Sequence, residues 1–435
     1  MAITPSGLFL RSAALVLTLS ASLQTTTVQA APGDPIGGDV QIVAGLGRQP
    51  AVAADGVGGY AVAYNCGTSI CLQRNLADGS PDGTPIDVVD GVLPQTAPRL
   101  AMDASGNAVV VWRYAHEVLA RRYDAVGTAL GPAFLVAALP VEDDGGHNDT
   151  VQGLASVAMN PDGRFVVAWN SIPHTQALPL AGRDYLELDY GKILAQPYNA
   201  DGSLPRGPIT VDSSLGGNIP SYAYPIAAGI DGSGAFTIGW IDNIPSGAAR
   251  FRRYAGTGSS LSVLAQTAVS GSAHDPYAIR VARSSGGPFT VAWNESASTN
   301  IYAQRYGADG KTIGSSFQVS SDAVAGLASI AIGSSGAELF TWSGQAAGSA
   351  GARIAARLYA SDGMAQTAAF AVAEQSYWYD TYAGTPATAV LANGDYVIVW
   401  SAIPSDIYPG LSHDPGDPDN YFTHYRLYAR RFSGH

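Results

Sequence analysis

The sequence predicts an all-β fold: a seven-bladed β-propeller built from four-stranded antiparallel blades. Three observations carry that prediction. One short unit recurs seven times along the chain. Each copy places two apolar segments around a tight glycine turn and follows them with further strand-like segments. The last copy stops one segment early, while an unpaired segment stands near the N-terminus.

The unit is clearest in Ala155–Trp169, Pro98–Trp112 and Pro386–Trp400, and it recurs ending at Tyr64, Trp240, Trp293 and Trp342. Six of the seven tryptophans therefore share one position, Tyr64 fills the seventh copy, and Trp378 lies elsewhere. Two apolar runs around an Asp/Asn/Ser-Gly turn read as a hairpin. The runs are almost continuously apolar, as expected of strands covered on both faces. A third strand follows in Leu119–Tyr123, Leu194–Tyr198, Tyr302–Tyr306 and Tyr428–Phe432. A fourth follows in Ala133–Val136, Pro208–Val211 and Ser316–Val319.

The ends predict closure. The last unit finishes with its third strand at Phe432, and Asp39–Val43 reads as a stray fourth strand. Pairing the two completes blade seven from both termini and removes an open sheet edge. The units resemble the Asp-Gly-x-Phe-Val-Val-x-Trp and Tyr-Ala-Gln-Arg-Tyr repeats of secreted bacterial propeller proteins. That resemblance implies fold and export, and it makes carbohydrate-active propellers such as polysaccharide lyases the nearest functional analogy.

Residues 1–30 read as a signal peptide: Arg11, an apolar run over Ala13–Leu19, and Val28-Gln29-Ala30 before the cleavage point. Residues 31–435 are then one propeller domain, secreted or periplasmic, expected to be a monomer with no membrane insertion. The formal net charge of −12 with no basic block argues against nucleic acid as a partner. The two cysteines, Cys66 and Cys71, fall on opposite sides of one hairpin and are expected to form a disulfide.

Departures from the repeat point to function. Turns between first and second strands, and between third and fourth, are short, as in Asp103–Gly106 and Asn199–Gly202. The long segments belong to the opposite face of the ring. They are the second-to-third loops Asn170–Lys192 and Ser401–Tyr425, and the blade connections Leu139–Gly153, Ser213–Tyr224 and Glu374–Thr385. In or beside them lie His147, His174, Arg183, Tyr185, Tyr190, His413 and His424, the residue types that β-elimination of a uronate polysaccharide needs as base and cation. Tyr222, Tyr224, His274, Tyr377, Trp378, Tyr379 and Tyr421 suit stacking on a pyranose and bonding to its hydroxyls.

A polysaccharide or other glycan is therefore the expected partner, bound and cleaved at one composite site. Elimination stands ahead of two alternatives. A glycoside hydrolase would need paired carboxylates, and the loops offer too many acidic residues to single out a pair. A non-catalytic lectin would be expected to repeat one pocket in every blade, whereas these inserts differ from blade to blade. Local acidity at Glu142–Asp144, Asp184, Glu187 and Asp189 weighs against an anionic substrate. No cofactor is required by this reading. Calcium is the one metal with a spacing to match, at Asp414, Asp417 and Asp419.

Overall fold

The computed structural model describes residues 30–43, 45–89, 97–139, 155–180, 183–217, 226–242, 248–255, 261–269, 276–295, 300–320, 323–345, 352–375, 386–403 and 425–435. Every regular element among them is a strand. Blade one holds β2 (Arg48–Ala54), β3 (Tyr60–Cys66), β4 (Ser69–Asn75) and β5 (Pro81–Asp87). Blade two holds β6 (Arg99–Met102), β7 (Ala108–Tyr114), β8 (Glu117–Tyr123) and β9 (Phe134–Ala138). Blade three holds β10 (Ala155–Met159), β11 (Phe165–Leu180), β12 (Arg183–Tyr198) and β13 (Ile209–Gly217). Blade four holds β14 (Ile226–Ile230), β15 (Phe236–Asp242), β16 (Ala248–Ala255) and β17 (Ser262–Ala268). Blade five holds β18 (Pro276–Arg283), β19 (Phe289–Glu295), β20 (Ile301–Tyr306) and β21 (Thr312–Ser320). Blade six holds β22 (Ala323–Ile332), β23 (Glu338–Gln345), β24 (Ala352–Tyr359) and β25 (Phe370–Gln375).

Blade seven is assembled from both ends of the chain. Its sheet order is β1-β28-β27-β26, with β1 (Pro35–Gln41), β26 (Ala387–Val390), β27 (Tyr396–Ala402) and β28 (Arg426–Phe432). Pro35 pairs with Phe432 and Val40 with Ala429, so the N-terminal strand closes the ring. The strand starts four residues before the predicted Asp39, and the Ile42 N–H still donates to the Leu427 carbonyl at 2.9 Å. Asp39 adds an ion pair to Arg430 at 2.6 Å.

The core lies between successive blades. Tyr64, Trp112, Trp169, Trp240, Trp293, Trp342 and Trp400 are each no more than 4% exposed. Trp112 of blade two packs in one cluster with Ala61, Ala63 and Leu72 of blade one. Burying a large apolar side chain in this way stabilises the fold by about 1.5–3 kcal/mol. The inner strands meet at small residues. Ala53, Ala101, Ala158, Gly229, Ala282, Ala331 and Ala389 all pair with the residue three before the repeat aromatic. A larger side chain at this level would crowd the convergence of seven strands.

One face of the ring carries the short turns. In blade two the Asp103 carboxylate accepts from the Ser105 and Asn107 N–H groups at 2.9 Å each, closing an Asx turn. Gly106 in that turn has φ +92°, where a side chain is strained. Third-strand arginines tie turns to neighbouring blades. Arg74 donates to the Gly106 carbonyl at 3.1 Å, Arg122 to the Ala200 carbonyl at 2.6 Å, and Arg431 to the Ala77 carbonyl at 2.8 Å. Arg305 instead pairs with Glu338 at 2.7 Å, and Arg253 with Asp231 of its own blade at 3.3 Å. The recurring arginines therefore serve the scaffold. Cys66 and Cys71 are bonded across β3 and β4, as their spacing predicts.

Blade three corrects one expectation. Asn170–Lys192 is not a long loop. The two strands continue as a hairpin, and β11 and β12 reach 16 residues each. Pairing runs from Phe165↔Tyr198 out to Leu180↔Arg183, with register shifts between Ser171 and His174 and between Leu178 and Leu180. The acidic and aromatic residues of this stretch resemble loop chemistry, yet their alternation from Leu178 to Tyr190 is enough to pair. The following connection is likewise shorter than expected, because β13 runs on to Gly217 beside Asp189.

Candidate functional site

The face opposite the short turns has a different chemistry. In four of the seven blades the second strand carries a buried polar residue immediately after the tryptophan, Arg113, Asn170, Asn294 and Ser401, whereas blade four has the buried apolar Ile241 there. Buried polar side chains at such a level need partners within the protein.

The inner strands place one further ring at this end of the channel. The residue paired opposite the position before each repeat aromatic is Ala51, Arg99, Ser156, Ala227, Arg280, Ser329 and Ala387, in blade order. The ring therefore reads Ala-Arg-Ser twice and then Ala. It contains no carboxylate. The two serines stitch blades together: Ser156 Oγ accepts from the Ala228 N–H at 3.0 Å, and Ser329 Oγ accepts from the Thr388 N–H at 3.3 Å. The arginines make local backbone bonds. Arg99 Nη1 donates to the Pro98 carbonyl at 3.1 Å, and Arg280 Nη1 to the Ile279 carbonyl at 2.8 Å.

Blades two and five stand three apart in a ring of seven, almost across the channel from each other. Their arginines nonetheless feel each other's charge. Burial, and to a lesser degree the positive charge of Arg99, together lower the Arg280 pKa to about 10. Burial also lowers that of Arg99. Both guanidinium groups still stay protonated at neutral pH, so the lowering reflects chiefly the cost of taking a cation out of water, with the charge of Arg99 a lesser cause at Arg280. Protein surrounds both side chains, yet each keeps part of its surface open to solvent. That combination marks groups lining a wet channel.

The blade-three hairpin brings some of the predicted residues together. His174 and Tyr190 are backbone partners, directly opposite on β11 and β12. Directly opposite Cα atoms lie about 4.5–5.5 Å apart. Arg183 opens β12 opposite Leu180, and Tyr185 lies between Arg183 and Tyr190 on the same strand. His147, Tyr222, Tyr224, His274, Tyr377, Trp378, Tyr379, His413, Tyr421 and His424 lie outside the described residues, as do Asp414, Asp417 and Asp419. Among the described residues no group of three or more His, Cys, Asp or Glu side chains is placed to hold a metal.

A groove between blades one and two is lined by Trp112, Tyr114, Leu119 and Arg121, with Val88 on its far side. Arg121 is committed there to the Val88 carbonyl at 3.0 Å. The motifs read from the sequence do not single out Arg99 and Arg280. Aligning the seven units on their glycine turns exposes them, as the two charged residues in an otherwise small and neutral column.

The described fold is that of a seven-bladed β-propeller with its ring closed by the N-terminal strand. No family model matches the chain, and no curated protein matches it. Solved structures do. A protein of unknown function from Dyadobacter fermentans is 12% identical, with 91% of this chain and 98% of that one covered at a TM-score of 0.46. The NanB sialidase of Streptococcus pneumoniae is 10% identical, with 86% and 83% covered at 0.47. The Aleuria aurantia lectin, solved with α-methyl-L-fucoside, is 14% identical, with 76% and 97% covered at 0.42. Among its structural neighbours are thus sialidases and lectins. At such identities the likeness concerns architecture, and no residue role passes from them to this chain.

Proposed function

We propose that the chain is a secreted, glycan-directed propeller that engages a polysaccharide at one composite site on the connection face. The blade-three hairpin carries this reading. Its two 16-residue strands break the regularity of the ring on that face, where second and third strands of the other blades run six to eight residues. The added length brings His174, Arg183, Tyr185 and Tyr190 onto one paired element, and sites on strands hold geometry better than sites on loops. Hydroxyl-rich ligands suit such a mixture of aromatic, basic and acidic residues. Export is supported by the leader-like N-terminus and by the Cys66–Cys71 disulfide.

Cleavage by β-elimination is the second reading, favoured by the opposition of His174 and Tyr190, residue types that remove and return protons. The test is a polysaccharide panel with the purified mature chain. Binding to at least one glycan, lost on replacing the hairpin by a tight turn, supports the first reading; no binding across the panel refutes it. Unsaturated products, read by ultraviolet absorbance, support elimination. New reducing ends without that absorbance point to hydrolysis instead, and binding without products identifies a lectin.

A further inference from the structure

We infer that a groove between blades three and four, on the turn face, binds a small single-ring carboxylate, with Arg164 as the partner of its anion. The site stands apart from the glycan reading, which concerns the opposite face. Three observations carry it. The first is a missing arginine. Arg74, Arg122, Arg305 and Arg431 share one position of the third strand, and each bonds the following blade. Blade three has Pro197 there, opposite Val166 as Arg122 is opposite Val109. Proline has no donor to extend toward blade four, and a groove of about 160 Å³ opens beside it. The second is an arginine gained. Arg164 follows the first turn of blade three, where the other blades have Gly59, Asn107, Ala235, Pro288, Ala337 and Asp395. It lines the groove and leans over blade four, so that a Cβ at Gly234 would meet its Nη1 at 3.2 Å. Its backbone N–H donates to Asn160 Oδ1, but its exposed guanidinium makes no hydrogen bond or ion pair among the described residues. The third is Tyr198. It lines the groove and is only 5% exposed, yet its hydroxyl has no hydrogen-bond partner among the described residues.

The lining sets the ligand class. Phe165, Pro197, Tyr198, Pro205 and Phe236 supply apolar surface, and Arg164 is the only charged residue described along it. Residues 256–260, which precede the lining residue Leu261, include no ionisable side chain and so bring no carboxylate to Arg164. Phe165 and Tyr198 stack with centroids 4.5 Å apart and planes within 5°, which fixes one wall. A space of about 150 Å³ holds one benzene ring, so the groove matches a single ring. A pyranose would carry several hydroxyls into a largely apolar slot and leave most of them unpaired, a cost that a carbon ring avoids. A carboxylate on that ring accepts from the planar fork of Arg164, and the Tyr198 hydroxyl offers a second donor. Water and salt weaken the pair at an exposed arginine, so burial of the ring contributes most of the affinity and the charge contributes selectivity. Elsewhere in the ring an arginine is bonded to the next blade; here the replacement is left uncommitted.

The experiment is titration calorimetry of the mature protein with phenylacetate, its neutral isostere phenylacetamide, and acetate as a carboxylate without a ring. The proteins are the parent, Arg164→Gln, Arg164→Lys, Tyr198→Phe and Pro197→Arg, the last restoring the arginine of the repeat and filling the groove. Phenylacetate should bind about fivefold more tightly than phenylacetamide, and acetate should not bind measurably. Arg164→Gln should erase the preference for the acid, and Arg164→Lys should keep part of it. Tyr198→Phe should weaken phenylacetate about threefold. Pro197→Arg should abolish binding of both ring compounds and melt no lower than the parent. No binding of phenylacetate by the parent overturns the inference, and so does equal binding of acid and amide. A Pro197→Arg protein that melts like the parent and binds phenylacetate unchanged overturns it too. Should the variants fail to fold, butanedione modification of the parent supplies the answer. Protection of Arg164 by phenylacetate but not by its amide, mapped by mass spectrometry, supports the site, and equal labelling with and without phenylacetate overturns it.

Discussion

The two faces of this ring use the same residue types for opposite ends. On the turn face the arginines find acceptors that belong to the scaffold. Arg74, Arg122 and Arg431 hold carbonyls of a neighbouring blade, Arg305 holds Glu338, and Arg253 and Arg283 share Asp231. On the connection face, Arg99 and Arg280 sit in a ring of alanines and serines and repel each other. Carboxylates follow the same division. Asp103 and Asp231 close turns from within. On the turn face each of these charges meets a partner that belongs to the scaffold, which is how a charge is held inside a fold. Perturbing the two faces should therefore have separable consequences.

The largest effect is expected in alkali, on the turn face. Burial raises the pKa of Tyr60 and of Tyr198 from the usual 10.0 to about 12. Each favours the folded state as long as it is protonated in both states, so the advantage is whole below pH 10. Above that the unfolded tyrosines ionise first, and stability falls until the folded groups titrate near pH 12. A tenfold change in acidity corresponds to about 1.4 kcal/mol, so the pair contributes a few kcal/mol after solvent screening at the less enclosed Tyr198 is discounted. Denaturant midpoints measured from pH 8 to 12 should be flat at first and then drop steeply. A flat profile throughout would break the assignment.

Asp231→Ala comes next. It leaves Arg253 and Arg283 buried without the carboxylate they share, and removing one partner of a buried pair costs about 3–5 kcal/mol. Equilibrium unfolding should show that loss with glycan affinity unchanged in the material that folds. A cost below about 1 kcal/mol would mean that the turn face is less tightly determined than its geometry indicates.

How much of this contrast is legible in the chain depends on its range. The repeat is legible because each strand pairs with its sequence neighbour and each turn is local, so apolar runs and glycines suffice. Ring closure is legible because a missing strand and an orphan strand stand at opposite ends. The blade-three hairpin escapes a sequence reading for a physical reason. Pro173, Pro179 and a run of charged residues look like loop chemistry, yet residues 183–190 supply partners for residues 174–180 only once the chain has folded back. Arg99 and Arg280 escape it because their encounter is across the channel, between residues 181 positions apart in sequence, and no local pattern records it.

Loss of the Cys66–Cys71 bridge should be smaller. The bond closes a loop with a sequence separation of only five. Loop-closure entropy for so short a span gives about 2 kcal/mol. Cys66→Ser with Cys71→Ser should lower the unfolding free energy by that amount and leave glycan binding intact, since the bridge lies between β3 and β4 of blade one, away from the blade-three hairpin. A loss of binding at unchanged stability would instead place blade one in the site.

The smallest stability effect, and the sharpest separation of the two faces, is expected from excising the blade-three extension. Ser171 and Lys192 are backbone partners, so residues 172–191 can be replaced by Asn-Gly, a two-residue turn that suits antiparallel strands. The shortened blade keeps Trp169 and its pairing to Leu194, with every core residue beneath. Only the pairs beyond Lys192 and the contact of β13 near Gly217 are lost. The excision leaves the described core clusters intact, so the unfolding free energy should change by less than about 1 kcal/mol. Glycan binding should disappear if the hairpin is one wall of the site. Glycan binding that persists in full would move the site from blade three to the channel alone. A collapse in stability would show that the extension is structural, and the division between a face that folds and a face that binds glycan would then fail in blade three.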